Sequence, residues 1–414
     1  MGLEQVLSME KERKLHDLLD PLRAPDAPAF SQAEGAAYFA EDGSRAVELN
    51  EMRVVLGQRN RAFNRAMAAA LEEVTSSRAV PAAKRELLER LDATTGGRFQ
   101  AVHLTSSGSE ATEAAMRMAR KLTGRTEIIT FWNSIHGRTW LTGSASGVPK
   151  RKAGYGPLAP GGVFFPYPHC AKCLLKREPG SCQFACLELC QTIYRESSAQ
   201  DAAAVLVELC QGSGVVMPPP GYMRALQDWA HSQGMLFIVD ENQSGLGRCG
   251  EMYLYEREGL EPDMLLLGKT LGNGIHIAAL LTRQAPPESL LGVFSGGSGD
   301  DPLACRAACE VFRQLEEGLL DHIREVSGIL HRGLKLLERS PLVLEVRGAG
   351  LAAAVEFSSE LVCRRICGQL VRRGYLPGRS GAALFCKPPY VITAQQVEGF
   401  LVELAEAAAQ AEKC

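Results

Sequence analysis

Five short apolar runs between residues 101 and 270 alternate with longer stretches of helical periodicity. Strands that alternate with helices predict an α/β fold, in which helices cover both faces of a mostly parallel sheet. Several of the runs are apolar throughout, as strands buried on both faces must be. The predicted strands are AVHLT (101–105), EIITF (127–131), AVLVEL (204–209), MLFIVDE (235–241) and DMLLLGKT (263–270). Because an open α/β sheet binds ligands beyond the carboxyl ends of its strands, polar residues there are candidate functional residues.

The two ends of the chain have a mixed α and β character. A periodic stretch from Leu303 to Arg339 predicts one long helix, and Thr393 with Gln396 predicts a capping box at the last helix. Asp42-Gly43 predicts a turn between two short strands. We expect residues 1–55 to form the N-terminal part of a small domain, 56–302 a large domain with a cysteine-rich excursion at 165–195, and 303–414 an interdomain helix and the C-terminal part of the small domain.

The composition excludes several classes of protein. Charged residues make up 22% and hydrophobic residues 46% of the 414 residues, a balance typical of globular rather than disordered chains. The formal net charge is −3, so no basic field favours binding to nucleic acids or anionic membranes. The charged N-terminal segment lacks the apolar core of a signal peptide, and no apolar run reaches the ~20 residues of a membrane span. We therefore expect a cytoplasmic protein that binds neither nucleic acids nor membranes.

A glycine-containing turn, Ser107-Gly108-Ser109-Glu110, separates a predicted strand from a predicted helix. Ser107 and Glu110 have the spacing of a capping box. The backbone N–H groups at a helix N-terminus also bind phosphate groups. The turn is therefore either a phosphate site or simply a capped helix.

Two charged residues at strand ends give this turn a chemical context. Asp240 ends the run MLFIV, and Lys269 follows the run DMLLL, so both should face one crevice. A lysine with a lowered pKa forms a Schiff base with an aldehyde. With a phosphate site nearby, Lys269 and Asp240 fit pyridoxal 5′-phosphate (PLP), whose ring nitrogen Asp240 would keep protonated. The alternative is a structural ion pair between Asp240 and Lys269 at the sheet edge.

Motifs in order along most of the chain make the sequence resemble the class III aminotransferases, which are fold type I PLP-dependent enzymes. The resemblance implies a large domain with a mostly parallel central sheet and a smaller α+β domain built from both chain ends. It also implies a homodimer or higher homo-oligomer. The motifs are SSGSEATEAAMRMAR (106–120), IHGRT (135–139), DENQSGLGRCG (240–250), PDMLLLGKTLGNG (262–274), RGAGL (347–351) and PPYVIT (388–393).

The resemblance implies a role for each of the matching site residues. Lys269 is implied to be the Schiff-base lysine and proton shuttle, Asp240 to bind the pyridine nitrogen, and Gln243 to hydrogen-bond the ring hydroxyl. Residues implied to bind the phosphate or to support the site are Ser107, Gly108, Ser109, His136 and Glu208.

At three positions around the expected cofactor the sequence departs from the family pattern. Ile135 stands where the family usually stacks an aromatic ring on the cofactor, and Asn242 replaces a valine or isoleucine on the opposite ring face. The family threonine that reaches the partner subunit's phosphate falls on Gly297, so Ser298 or Ser295 is expected to substitute for it.

The fourth departure concerns the substrate. The arginine that binds the substrate carboxylate in the family stands three residues before a Pro-Pro pair, and here that position is Phe385. Lys387 and Arg379 are the basic residues nearest in sequence. An acid would lose its fixed counter-charge beside Phe385, which predicts an acceptor without a carboxylate beside the reacting carbon.

A cysteine cluster lies in the excursion at 165–195. Cys170 and Cys173 have the spacing of a zinc knuckle, and Cys182, Cys186 and Cys190 are spaced to share one helix face. One interpretation is a structural zinc site with Cys170, Cys173, Cys182 and Cys186 as ligands. The other is a set of buried, unreactive cysteines.

Together these patterns predict a PLP-dependent aminotransferase that acts between an amine or amino-acid donor and an aldehyde or ketone acceptor. The expected substrates are small molecules, specialised natural products or modified peptides. Because the cofactor can assist cleavage of any bond to the reacting carbon, a decarboxylase, epimerase or aminomutase is the alternative. A non-catalytic binding protein is disfavoured, since Lys269, Asp240 and Gln243 are all retained.

Overall fold

The central β-sheet of the computed structural model is mostly parallel. The structure describes residues 30–73, 80–286 and 301–413. Within these ranges the sheet contains seven strands, which are numbered along the chain and lie side by side in the order β4 (Ala101–Thr105), β10 (Ala278–Thr282), β9 (Met264–Leu267), β8 (Leu236–Asp240), β7 (Ala202–Val207), β5 (Glu127–Phe131) and β6 (Gly162–Phe165). Strand β10 is antiparallel to both neighbours and the other pairs are parallel, which confirms the predicted α/β class.

All five predicted strands are present, with small shifts at their ends. Strands β4 and β5 begin and end at the predicted residues. Strand β7 starts earlier, at Ala202, and ends before Glu208. Strand β9 ends at Leu267 because the chain turns at Lys269. Every residue of β7 and β9 is buried, as expected of strands that are covered on both faces.

Helices cover the sheet and connect its strands. Small side chains such as Ala111 and Ala115 on α3 allow this helix to pack closely on β7, β8, β9 and β10. No helix within the described ranges combines the length and apolarity needed to cross a membrane. The helices of this region are α1 (Arg61–Ala70), α2 (Ala82–Thr94), α3 (Gly108–Thr123), α4 (Trp140–Ala145), α5 (Ala185–Ser197), α6 (Tyr222–Ser232) and α7 (Leu254–Arg257).

The capping box predicted for α3 forms only in part. The hydroxyl oxygen of Ser107 accepts a hydrogen bond from the Glu110 N–H (3.3 Å). The Glu110 carboxylate, however, binds the N–H (2.9 Å) and the hydroxyl (2.8 Å) of Ser106 instead of the Ser107 N–H. The reciprocal bond is lost because Ser106 offers the carboxylate two donors at once.

The two chain ends meet in one small sheet. Strands β1 (Phe30–Glu34), β2 (Ala37–Ala40) and β3 (Arg45–Glu48) are antiparallel neighbours, with the predicted turn at Asp42-Gly43 between the last two. Strand β3 then pairs in parallel with β13 (Tyr375–Leu376). This pairing brings residues from both chain ends together, whereas the division at residues 55 and 302 stays a prediction.

The rest of the C-terminal region contains an antiparallel sheet and two helices. Its sheet order is β11 (Val343–Ala349), β12 (Ala352–Phe357), β15 (Ala383–Cys386) and β14 (Gly378–Ser380). Helix α11 (Ala394–Glu412) has the complete Thr393–Gln396 capping box, which confirms that prediction. Helix α10 (Glu360–Arg372) connects β12 to β13.

The single long helix predicted for residues 303–339 is wrong. The chain forms α8 (Pro302–Gln314) and α9 (Leu320–Leu336), separated by the π-helical turn Leu315–Leu319. Gly318 in this turn has a φ of 114°, a conformation that glycine adopts without steric cost and that no α-helix contains. The apolar periodicity continues across the break and therefore conceals it in the sequence.

Candidate active site

One pocket opens where β8, β9 and the N-terminus of α3 meet. It collects every described residue that the sequence placed at the cofactor or the substrate. Ser298, together with Gly297 and Ser295, lies outside the described residues. The predicted residues that line the pocket are Ser107, Gly108, Ser109, Ile135, His136, Glu208, Asp240, Asn242, Gln243, Lys269, Arg379, Phe385 and Lys387.

Lys269 follows the end of β9 and lines this pocket. The Lys269 side chain is open to the solvent that fills the pocket. The pocket itself lies deep in the protein, and the resulting loss of solvation lowers the pKa of Lys269. The charges of Arg138 and Arg151 lower the pKa further, while Glu208 and Asp240 oppose the shift. A lowered pKa increases the fraction of neutral amine, which is the nucleophile needed to bind an aldehyde.

Asp240 is buried and held by two neighbours. Its Oδ1 accepts hydrogen bonds from the backbone N–H (3.0 Å) and the side-chain Nδ2 (2.6 Å) of Asn242. Its Oδ2 lies 2.8 Å from His136 Nδ1, and since a carboxylate only accepts, Nδ1 must donate. Asp240 and Lys269 are both described and no ion pair joins them, so the structural ion pair considered from sequence is wrong.

The N-terminus of α3 forms one wall of the same pocket. The first N–H groups of a helix have no acceptor within the helix, and here Gly108 and Ser109 supply them. A side chain at position 108 does not fit, because its Cβ would lie 2.6 Å from Asn242 Oδ1. Backbone donors are therefore exposed to the pocket at the positive end of the helix dipole.

These residues fit the chemistry of PLP. The pocket combines an amine with a lowered pKa, a buried carboxylate and an anion-binding helix terminus. The buried Nε2 of His136 and Oδ1 of Asn242 have no hydrogen-bond partner within the described residues. Such orphaned polar atoms are rare in protein interiors, and their presence beside the pocket is consistent with a site built for a polar ligand.

The basic residues near Phe385 are both engaged elsewhere. Arg379 Nη1 pairs with Glu360 Oε1 (3.0 Å) and donates to the Gly381 carbonyl (3.2 Å). Lys387 Nζ donates to the Gly212 carbonyl (2.7 Å) and to Gln243 Oε1 (3.1 Å). Lys387 has no planar pair of donors, and Arg379 is held to Glu360 through Nη1, so neither residue reproduces at position 385 the arginine of the family pattern.

Three arginines without a predicted role also line the pocket. The guanidinium groups of Arg53, Arg138 and Arg151 are exposed, and none forms an ion pair in the part of the chain that the structure describes. Arg138 is part of the motif IHGRT, which is the only sequence signal for this group. Arg53 and Arg151 belong to no quoted motif, so only their position in the fold brings them to the site.

The cysteine cluster does not support the predicted zinc site. In residues 30–73, 80–286 and 301–413, no three His, Cys, Asp or Glu side chains are placed to hold a metal ion; Cys170, Cys173, Cys182 and Cys186 are free thiols. Cys182 precedes α5, which begins at Ala185, so it cannot share a helix face with Cys186. Burial raises the pKa of Cys186 to about 11 and that of Cys190 to about 12, which disfavours the thiolate that metals bind.

Comparison with curated proteins finds aminotransferases. The chain is 34% identical over 318 residues to an ornithine aminotransferase from Bordetella pertussis, a match that covers 72% of this chain and 71% of the relative. It is 33% identical over 309 residues to an acetylornithine aminotransferase from Methanopyrus kandleri, with 74% of each chain covered.

Solved structures of PLP-dependent transaminases have the same fold. A PLP-bound amine transaminase from an uncultivated Pseudomonas species matches with a TM-score of 0.85 at 27% identity, covering 94% of this chain and 98% of that chain. A taurine:2-oxoglutarate aminotransferase from Bifidobacterium kashiwanohense, in complex with PLP and glutamate, matches with a TM-score of 0.88 at 25% identity, covering 98% of each. These neighbours establish fold type I for this chain and PLP as the cofactor of its family.

A family model agrees with both comparisons. Residues 24–408 match the model described as Aminotransferase class-III, which spans both chain ends and the whole central sheet. The chain therefore belongs to the class III aminotransferases.

Proposed function

We propose that this aminotransferase passes an amino group to an aldehyde or ketone that has no carboxylate beside the reacting carbon. The observation that carries the proposal is the environment of Phe385, where Arg379 is paired with Glu360 and Lys387 is bound to Gly212 and Gln243. A carboxylate next to the reacting carbon would lose water on entering the site and gain no counter-charge from position 385. A neutral carbonyl carbon with apolar or hydroxylated substituents has no such cost.

In this proposal Lys269 is the catalytic residue. Bound PLP supplies the electron sink for bonds to the substrate carbon. Lys269 would hold the cofactor covalently, and its amine would accept and return the proton of the substrate carbon. Asp240 would hold the ring nitrogen and Gln243 the ring hydroxyl, while His136 orients Asp240. Residues proposed to hold the phosphate are Ser107, Gly108 and Ser109.

The charges of the pocket support an anionic group elsewhere on the substrate. The exposed guanidinium groups of Arg53, Arg138 and Arg151 line the pocket and are not neutralised by ion pairs with described residues. Ornithine, named for the Bordetella relative, carries a carboxylate remote from its side-chain amine. A substrate with a distant anionic group, whether a small molecule or the modified end of a larger product, therefore agrees with both observations.

Replacing Phe385 with arginine should convert the acceptor preference. We expect Phe385→Arg to raise kcat/KM for 2-oxo acids at least about tenfold relative to matched aldehydes, because a guanidinium group binds both carboxylate oxygens at once. Steady-state reoxidation of the pyridoxamine form measures this ratio, and Phe385→Leu is the control that keeps the wall apolar. Efficient use of 2-oxo acids alone by the wild type, with no gain in Phe385→Arg, would refute the proposal.

The oligomeric state is a further proposal, based on the resemblance of the sequence to its family. We expect at least a homodimer, in which the segment containing Ser298 contributes to the site of the partner. Sedimentation velocity of the holoenzyme should therefore give the mass of a dimer or of a larger assembly. Full activity in a monomeric species would contradict this expectation.

A different PLP reaction is the second candidate, favoured by Asn242. The side-chain amide of Asn242 donates a hydrogen bond to Asp240 Oδ1, which an aliphatic residue at this position cannot do. The Asp240 carboxylate of this chain therefore has one more hydrogen-bond donor than the family pattern provides. Decarboxylation, epimerisation or an amino shift would consume substrate without leaving the cofactor in the pyridoxamine form. Mass spectrometry of the cofactor after incubation with a panel of amines, amino acids and aminated natural products separates these reactions from transamination.

A further inference from the structure

Lys387 is a buried cation without a carboxylate partner among the described residues. Its side chain is 4% exposed, and its Nζ contacts the Gly212 carbonyl, Gln243 Oε1 and, at 4.9 Å from the ring centre, the face of Phe385. Burial lowers its pKa to about 8, and the nearby charges of Lys269 and Arg248 act in the same direction. Burying an ammonium group without a carboxylate partner costs free energy. We therefore expect this charge to have a role in the pocket.

Gln243 lies between this ammonium group and a carboxylate. Its Oε1 accepts from Lys387 Nζ at 3.1 Å, and its Nε2 lies 3.4 Å from Glu208 Oε1. If the Gln243 amide were rotated by a half-turn, its NH₂ group would face the ammonium group of Lys387 and its oxygen would face the carboxylate of Glu208. Both contacts would then be repulsive, so the two charges together select one orientation of the amide.

Gly212 fixes the distance between the two charged groups. Its carbonyl accepts from Lys387 (2.7 Å), and its N–H donates to Glu208 Oε1 (3.0 Å). Lys387, Gly212, Glu208 and Gln243 thus form a closed ring of contacts. The ring needs glycine at this position, because a Cβ on residue 212 would lie 1.9 Å from Gln243 Nε2.

We propose that Lys387 is a positioning residue that holds the Gln243 amide with its N–H donors, and not its oxygen, directed to the ring hydroxyl of the bound cofactor. The inference rests on the proposed role of Gln243 at that hydroxyl. Nε2 has two hydrogens, of which Glu208 takes one, and the second remains for the cofactor. An N–H donor stabilises the ionised form of the ring oxygen, whereas an amide oxygen there would repel it.

The test is a double-mutant cycle on cofactor affinity at pH 7. Apoprotein is titrated with PLP for the wild type, Lys387→Met, Gln243→Met and the double variant. We expect each single variant to weaken PLP binding roughly tenfold, as for the loss of one hydrogen bond to a charged group. Because Lys387 acts through Gln243, the double variant should bind PLP as weakly as Gln243→Met alone.

Two further variants separate charge from packing. Lys387→Gln keeps an N–H donor without the charge, so its affinity should lie between those of the wild type and Lys387→Met. Arg379→Met is the matched control, since Arg379 lines the same pocket but pairs with Glu360. Its PLP affinity should change less than about twofold. Melting curves of each apoprotein show whether any loss of affinity reflects unfolding.

The possible outcomes distinguish this inference from the proposed function. Additive losses in the double variant, or unchanged PLP affinity in Lys387→Met, would overturn the positioning role while leaving the aminotransferase proposal intact. A raised KM for anionic substrates at unchanged PLP affinity would instead identify Lys387 as a substrate ligand, and would also overturn it. Failure of the wild-type apoprotein to bind PLP would contradict the proposed function itself.

Discussion

Lys269→Ala is expected to lower kcat by at least about 10³-fold while leaving the protein folded. The substitution removes both the nucleophile that holds the cofactor aldehyde and the group that moves the proton. Lys269 lies past the end of β9 and its side chain faces the pocket, so its loss leaves no cavity in the core. Borohydride reduction followed by mass spectrometry should find PLP attached to Lys269 in the wild type and no attachment in the variant.

A second lysine provides the matched control for this experiment. Lys152 lies outside the pocket, where its Nζ packs 3.5 Å from the centre of the Phe164 ring. Lys152→Ala should keep the covalent cofactor and its turnover. Activity of Lys269→Ala near the wild-type level would exclude Lys269 as the catalytic lysine, whatever happens in the control.

Much of the central sheet could be predicted because its signal is local. Strands β4 and β5 are bounded by polar and turn-forming residues, and the sequence therefore predicts their ends. The break between α8 and α9 could not be predicted in this way, since a glycine such as Gly318 also occurs within helices. Only its φ of 114° distinguishes the two cases. The N-terminus of α3 shows a similar limit, because Ser106 competes with Ser107 for the Glu110 carboxylate.

In the candidate site, too, the features with a local sequence signal could be predicted, and those that depend on distant residues could not. The sequence predicts that Asp240 and Lys269 face one crevice, because the ends of parallel strands lie at one sheet edge. The ring around Gln243 depends on contacts with Lys387, which is 144 residues away in sequence, and on Gly212, which is 175 residues from Lys387. No sequence pattern connects residues at such distances, so this part of the site follows only from the tertiary fold.

An ion-pair network with a buried centre, Arg347 and Glu356, connects the cysteine-rich excursion to the C-terminal sheet. Arg347 on β11 is 8% exposed and binds Glu345 and Glu356, each at 2.8 Å. The excursion supplies Lys172, which pairs with Glu356, and His169, which lies 3.0 Å from Glu345. These pairs join the excursion to the C-terminal sheet.

Arg347 also reaches the loop that follows Gly212. Its Nη2 donates to the Gly214 carbonyl at 2.8 Å, and its Nε donates to the Val215 carbonyl at 3.1 Å. Removing the guanidinium group would therefore take a donor from two carboxylates and two carbonyls at once. Losing one partner of a buried ion pair costs far more than the intact pair contributes.

Arg347→Met should accordingly lower the free energy of unfolding by about 3–5 kcal/mol at pH 7. Urea denaturation of the apoprotein measures this loss. The double variant Arg347→Met with Glu356→Gln should recover part of the stability, because without Arg347 the buried carboxylate of Glu356 keeps only the half-exposed Lys172 as its ionic partner. Arg364→Met is the control, since Arg364 forms an exposed pair with Glu360 on α10 and exposed pairs contribute at most about 1 kcal/mol.

The same network predicts how this stability depends on pH. Burial raises the pKa of Glu356, but hydrogen bonds from Lys172 and Arg347 outweigh it, so the pKa lies below its ordinary value of 4.5. The pKa of Glu345 is lowered in the same way by His169 and Arg347. A carboxylate with a lowered pKa stabilises the fold above pH 4.5 and loses this effect as the pH falls through its folded-state pKa. The difference in unfolding free energy between wild type and Arg347→Met should thus be largest at neutral pH and shrink below pH 4.5. A difference that stays constant into acid would show that Arg347 stabilises the fold through its carbonyl contacts alone.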